Sequence, residues 1–288
     1  MPSLKHAAPA TVEGACSLLA EHGDEAAVLS GGQSLVQEVR QHAAPFEVVV
    51  DINGIENQSY IERDGDQLRF GCLVRHADIE HSELVAETNP TLADAAGSIG
   101  DVQVRNRGTF CGAVAQAEPA GDPPTVLALF DADVVAVGTD GERVIGGQEF
   151  YEAPRETALR SDELVRELRF PILGDGTGAA YEKWTPAEGS YPVAAVGALV
   201  ELEEETISDA RLVTGALEGG PTPMPGAAAE LVGEEPTDDS LTVAARTLGE
   251  TTEPEADFEG STEFKSELAA TMAKDALDTA IERARGAE

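Results

Sequence analysis

Two glycine-rich turns, Ser30-Gly31-Gly32-Gln33-Ser34-Leu35 and Arg105-Asn106-Arg107-Gly108-Thr109-Phe110-Cys111-Gly112, lie about 75 positions apart and constrain this chain more than any other feature. Glycine lacks the Cβ that would hold a ligand off the backbone, so consecutive main-chain N–H groups can form a concave nest for an anion. The first turn follows the apolar run Ala26-Ala27-Val28-Leu29, read as a strand, and opens into Leu35-Val36-Gln37-Glu38-Val39-Arg40, read as a helical turn. Its spacing fits neither the G-x-G-x-x-G of a Rossmann fold nor the G-x-x-x-x-G-K-[ST] of a P-loop, and alone it reads as a plain strand-to-helix turn. With its partner, and with Glu118-Pro119 and Asp122 following, it reads as one half of a pyrophosphate clamp.

Charge narrows the partners. With 54 acidic against 19 basic residues the formal net charge is −35, which repels nucleic acid and anionic membrane surfaces. Only four lysines occur, Lys5, Lys183, Lys265 and Lys274, and the acids are scattered along the chain. That pattern fits adaptation to a salty cytoplasm, where screening over roughly 3 Å near 1 M salt makes such self-repulsion tolerable; the alternative is an acidic protein awaiting a basic partner. No apolar run approaches the roughly 18 residues of a membrane span, and Met1-Pro2-Ser3-Leu4-Lys5-His6 has no signal-peptide core, so the expected location is cytoplasmic. Cys16, Cys72 and Cys111 are far apart with no C-x-x-C pair, and the five histidines (His6, His22, His42, His76, His81) show no ligand spacing, so no metal site is expected. No G-x-S-x-G elbow and no convincing acid–base pair appear, so no catalytic residue is assigned.

Along the chain, Thr11 is a candidate cap for a helix over residues 12–20 closed by His22-Gly23, Phe46 to Ile52 reads as a strand, and Ile61 to Phe70 as a hairpin. Asp78 to Val85 and Leu92 to Ile99 read as helices, Thr125 to Phe130 as a buried helix, and 133–137 with 143–145 as paired strands. Glu149-Phe150-Tyr151 is expected to start a helical turn, and Glu163 to Pro171 to be a strand. Gly174 to Gly178, with three glycines in five residues, is the expected boundary. Beyond it, 179–184, 194–203 and 207–215 read as a meander of three strands, followed by helices at 226–232, 241–248 and 261–285. Helices mixed with hairpins, without strict βα alternation, give an α+β class.

These blocks resemble the FAD-binding subunit of the molybdenum hydroxylases, the medium chain of the carbon monoxide dehydrogenase and xanthine dehydrogenase type. In that family an A-G-G-x-S-L loop is followed by I-R-N-x-G-T-[IV]-G-G-[SN] and then [DE]-P-x-x-D; the matches here are Ser30 to Leu35 and Val104 to Asp122, with Val48 to Asn53 and Asp162 to Pro171 in their expected places. The resemblance implies a two-subdomain FAD-binding domain of the PCMH, vanillyl-alcohol-oxidase-like type over 1–173 (subdomains about 1–54 and 55–173). A small C-terminal domain over 178–288, with a three-stranded antiparallel sheet and helices, would follow. It further implies FAD as cofactor, and as partners a molybdenum-cofactor large subunit and a [2Fe-2S] small subunit in a dimer of heterotrimers.

Site residues follow from the same resemblance. Leu29, the backbone of Ser30, Gly31, Gly32, Gln33 and Ser34, the Ser34 hydroxyl and Leu35 would hold one side of the pyrophosphate. Gly108, Thr109, Cys111, Gly112 and Ala113 would hold the other, with Glu118 nearby. Asp122 would accept from ribityl or ribose hydroxyls, with an Asx turn before Pro123-Pro124 as the other reading. Lys183 would stand near the N1–C2=O end of the isoalloxazine or else form a surface ion pair; Tyr191 would pack on the ring or else in the core. Cys111 and Ala113 depart from the family's Gly and Ser/Asn, so Cys111 requires a negative φ or a side chain turned from the ligand. The implied activity is electron transfer through FAD from the partner's clusters to an external acceptor; a stand-alone FAD oxidoreductase and a non-catalytic assembly subunit that has lost flavin are the alternatives.

Overall fold

The computed structural model describes residues 4–41, 43 and 45–286; His42 and the Met1-Pro2-Ser3 start lie outside the described residues. The chain opens with a parallel sheet in the order β1 (Lys5–Ala7), β3 (Val48–Asp51), β2 (Ala26–Leu29). Parallel neighbours need crossovers, which α1 (Val12–His22) and α2 (Leu35–Arg40) supply. α1 forms because Thr11 Oγ1 accepts from the Gly14 amide at 3.1 Å and Val12, Ala15, Cys16 and Leu19 repeat at helical spacing to give one buried face. Gly23, at φ +52°, ends it. β1 has no sequence signal: Lys5 and His6 are exposed, and only its register against Val48 to Val50 makes it a strand.

The next layer is an antiparallel sheet in the order β4 (Ile61–Asp64), β5 (Gln67–Gly71), β10 (Leu164–Pro171), β6 (Asp133–Gly138), β7 (Gly141–Ile145). Between β5 and β6 run six helices: α3 (His76–Glu80), α4 (Glu83–Thr88), α5 (Pro90–Gly97), α6 (Val102–Arg105), α7 (Phe110–Gln116) and α8 (Asp122–Phe130). The helix expected over 78–85 is two, because Ser82 Oγ accepts from the Val85 amide at 3.3 Å and starts α4 afresh. The helical turn expected at 149–151 is instead a hairpin, β8 (Tyr151–Ala153) with β9 (Glu156–Thr157), because Phe150 is drawn fully into the core and Arg155 turns the chain at φ +62°. Phe70, Phe110, Phe130 and Phe170 join these pieces; the Phe70 and Phe110 rings each lie 5.7 Å from that of Phe170. Burying each such ring contributes roughly 1.5–3 kcal/mol, and Phe110 thereby anchors the second glycine turn.

The C-terminal part holds β11 (Thr177–Trp184), β12 (Ala194–Glu203) and β13 (Thr206–Gly215) as the expected meander, extended by the two-residue β14 (Thr222–Pro223) to four strands. After it come α9 (Pro225–Ala229), α10 (Asp238–Thr251) and α11 (Thr262–Ala284). Side-chain alternation sorts the two faces. Ala180, Ala194, Val196, Ala198 and Val200 join the cluster with α10 and α11, while Ala179, Tyr181, Ala195 and Leu199 join the core around α8. Gly178, read as boundary, lies inside β11 because α11 crosses there so closely that a Cβ would meet the Ala280 carbonyl. Lys183 shares the odd-numbered face with Tyr181, which brings both toward Asp122 at the head of α8.

Candidate functional site

The first glycine turn leaves the end of β2 and enters α2, and the second joins α6 to α7. Gly32 sits at φ +73°, a left-handed conformation that favours glycine. Among the described residues the amides of Gly31, Gly32, Gln33, Ser34 and Leu35 meet no protein acceptor. Gly31 is buried while Gln33 is exposed, and Ser34 and Leu35 open α2, whose first amides have no intrahelical partner, so the row is free to meet water or a ligand. In the second turn Thr109 caps α7, its Oγ1 accepting from the Gly112 amide at 3.2 Å, and the Gly108 carbonyl accepts from the His76 amide at 3.1 Å.

The two turns touch one another. A Cβ on Gly31 would lie 2.6 Å from the Arg107 carbonyl oxygen and 2.7 Å from Gly108 Cα, and one on Gly112 would overlap the Thr109 and Ser30 hydroxyls. Ser30 Oγ and Thr109 Oγ1 are 2.8 Å apart. Glycine at 31 and 112 is therefore needed for the turns to meet, a reason beyond the ligand approach that the sequence suggests. The Ser34 hydroxyl, expected to donate to an anion, donates to Gln116 Oε1 at 3.0 Å and so ties α2 to α7.

A cleft of about 510 Å³ opens over this junction, within the ordinary range for small-molecule sites. Ser30 to Leu35, Gly108, Thr109, Cys111 to Ala113, Glu118, Asp122 and Tyr191 all line it; Leu29 and Lys183 do not. Leu29 acts behind the turn, its carbonyl accepting from the Ile52 amide at 3.0 Å. Lys183 Nζ donates to Asp122 Oδ2 at 2.8 Å, and the Tyr181 hydroxyl donates to Asp122 Oδ1 at 2.5 Å. Asp122 is thus a buried, paired carboxylate, and among the described residues its side chain makes no Asx-turn bond. Burial first, then the charge of Asp122, pushes the Tyr181 phenol well above its usual range, so it stays a donor. Tyr191 is exposed at the mouth of the cleft, not in the core.

Among the described residues no lysine or arginine lines the cleft, whereas Glu38, Glu118, Asp122 and Glu163 do. Three of these carboxylates are neutralised from behind: Glu118 by Arg155, Asp122 by Lys183, and Glu163 by Arg143 at 2.7 Å. An anion here would be held by amide dipoles. Cys111 satisfies its condition, since it lies within α7 and its thiol turns into the core toward the Phe70 and Gly71 carbonyls at 3.7 and 3.6 Å. Burial pushes that thiol, and that of Cys72 (up to about 11), away from the reactive thiolate.

Sequence reasoning missed His76 and Gln116, which also line the cleft. The His76 ring is buried edge-on to Phe110, its Nδ1 has no partner among the described residues, and burial holds it neutral with a pKa of about 4. No local pattern marks either residue. The five free amides and the glycine junction fit a dinucleotide diphosphate.

Residues 2–173 match the FAD binding domain in molybdopterin dehydrogenase, and residues 179–280 match the CO dehydrogenase flavoprotein C-terminal domain. The 6-hydroxypseudooxynicotine dehydrogenase complex subunit alpha of Paenarthrobacter nicotinovorans is 32% identical over 99% of this chain and 96% of its own length. The carbon monoxide dehydrogenase medium chain of Hydrogenophaga pseudoflava is 31% identical over 98% of each chain. A solved structure of the Hydrogenophaga pseudoflava carbon monoxide dehydrogenase, lacking the Mo-pyranopterin moiety, superimposes with a TM-score of 0.94 over 98% of both chains at 31% identity. Among the described residues no helix is long and apolar enough to cross a membrane. With both parts of the chain matched by these family models and by relatives over nearly its whole length, the chain belongs to the molybdenum hydroxylase family as an FAD-binding medium subunit, an FAD-dependent oxidoreductase component.

Proposed function

We propose that this chain relays electrons from the [2Fe-2S] clusters of a small subunit to an external acceptor, while a molybdenum-cofactor large subunit oxidises the substrate. The three would form a dimer of heterotrimers in the cytoplasm, and the chain would work as two units, 1–173 and 178–288. When bound, FAD supplies a carrier able to exchange electrons singly or in pairs. The observation that carries this reading is the row of five unpaired amides from Gly31 to Leu35 over the cleft. In this reading those amides, with the Cys111 amide opposite, hold the diphosphate; the Ala113 amide donates to the Thr109 carbonyl at 3.0 Å instead. Asp122, oriented by its bonds from Lys183 and Tyr181, faces the polyol hydroxyls, and Tyr191 covers the mouth. In this reading Lys183, paired with Asp122, acts through that carboxylate.

Titration of the folded chain with FAD in concentrated salt, read by flavin fluorescence and the absorbance band at about 450 nm, tests it. Expected is one FAD per chain, reducible by a reduced [2Fe-2S] partner and not by small substrates added to the chain alone. A folded protein that takes up no FAD overturns the reading. Direct turnover of a small substrate by the isolated chain favours the stand-alone enzyme instead.

A further inference from the structure

Asn53 and Arg75 stand behind the two turns, and neither lines the cleft. Asn53 follows β3 and is exposed; its Nδ2 donates to the Ser30 carbonyl at 2.8 Å and the Leu29 carbonyl at 3.3 Å, and to Asp51 Oδ1 at 2.8 Å. With its nitrogen committed to these acceptors, its Oδ1 faces Arg75, whose Nη2 donates to it at 2.9 Å. The opposite amide orientation would set two donors against each other. The other arm of the same guanidinium donates to the Arg107 carbonyl in the second turn. One fork therefore spans both turns, and it grips the carbonyl on which Gly31 rests.

The peptide geometry gives this staple a consequence for the ligand. In a trans peptide the C=O and N–H point in opposite directions, so fixing the Ser30 carbonyl toward Asn53 aims the Gly31 amide away from it. That amide is the first of the five unpaired donors. Arg75 also pairs with Thr109 in an isolated antiparallel bridge, and its own amide donates to Asp78 Oδ2 at 2.9 Å, so its backbone is fixed at the start of α3.

We propose that Asn53 and Arg75 form a positioning pair that holds the two turns at the spacing and orientation FAD requires, and so determine cofactor affinity more than fold stability. The inference rests on FAD occupying this cleft. Neither residue touches the cofactor; each acts through a loop carbonyl. Lysine cannot replace the fork, because an ammonium is a point charge that does not reproduce two parallel N–H arms.

The test measures FAD dissociation constants and release rates, with the apo unfolding midpoint, for wild type, Arg75→Met, Arg75→Lys, Asn53→Ala and the Asn53→Ala/Arg75→Met double variant. Losing a hydrogen bond to a charged donor predicts FAD binding weakened roughly 10- to 100-fold in Arg75→Met. Arg75→Lys should recover part of it, and the double variant should lose less than the product of the single losses, because both cut one connection. Apo midpoints should stay within about 3 °C of wild type. Affinity within two-fold of wild type in Asn53→Ala, whose exposed side chain leaves the core intact, overturns the proposal, as does a multiplicative double variant. Wild-type protein that binds no FAD refutes the flavin site itself and is read separately from these.

Discussion

The loop junction over the cleft and the C-terminal layer are held together by different means. At the junction, contacts are polar and few: Ser30 to Thr109, Ser34 to Gln116, and the Arg75 fork, laid over glycines that let backbones touch. In the C-terminal layer α11 lies on β11 through Ala269, Ala273, Ala276, Ala280 and Ala284, a small-residue stripe buried against a sheet face of alanine and valine. Hydrogen bonds contribute about 1 kcal/mol net each and are directional, whereas apolar burial is non-directional and scales with area. The junction is thus suited to setting ligand geometry, and the alanine layer to setting stability.

The sharpest way to break this contrast is Gly178→Val. A Cβ there meets the Ala280 carbonyl and the Ala284 amide of α11, so overpacking should destabilise the fold by about 3 kcal/mol or more, seen in urea unfolding. FAD affinity of the molecules that remain folded should be unchanged; a matching fall in affinity would show that the two regions are not separable.

Next in size is an acid-dependent loss confined to the junction side. All five histidines lie before residue 82, so the C-terminal layer has none to titrate. His76 has its pKa depressed from 6.5 to about 4 by burial first, with Arg105 and Arg75 adding to it. Because the unfolded chain takes up this proton first, its contribution is intact above pH 6.5 and is lost as pH falls toward about 4, by roughly 3 kcal/mol in all. Glu167 and Glu163, held low despite burial by Arg69 and Arg143 respectively, lose their contributions only as pH falls through and below 4.5. Glu182, raised by burial, acts with the opposite sign in the C-terminal layer. Urea unfolding of apo protein at pH 7 and pH 4.5 should show a smaller acid loss in His76→Gln than in wild type; equal losses would remove His76 as the cause.

The smallest expected effect is Ser30→Ala, which removes the 2.8 Å bond to Thr109. It should weaken FAD binding by roughly five-fold, about 1 kcal/mol, with little change in the unfolding midpoint. A large drop in midpoint with unchanged affinity would invert the contrast between the regions.

Much of this was legible in the residues. The meander of β11, β12 and β13 shows in three apolar stretches separated by acidic turns, α1 in its Thr11 cap, and both glycine turns in their spacing and flanking blocks. What was not legible depends on segments distant in the chain. β1 is a strand only because β3 lies beside it, and Phe150 forces β8 where local residues suggest helix. His76 and Gln116 reach the cleft through neighbours more than thirty positions away, such as Phe110 and Ser34.

The residues alone set what each segment can do. Glycines permit tight turns, alternating apolar side chains give strands with two distinct faces, and a chain with 54 acids and 19 bases disfavours nucleic acid and anionic membrane surfaces. Tertiary structure decided why particular glycines are needed, which cation neutralises each cleft carboxylate, and that Lys183 serves Asp122. These are outcomes of packing between elements 20 or more positions apart, 61 for Asp122 and Lys183, and short-range side-chain preferences carry no information about such meetings.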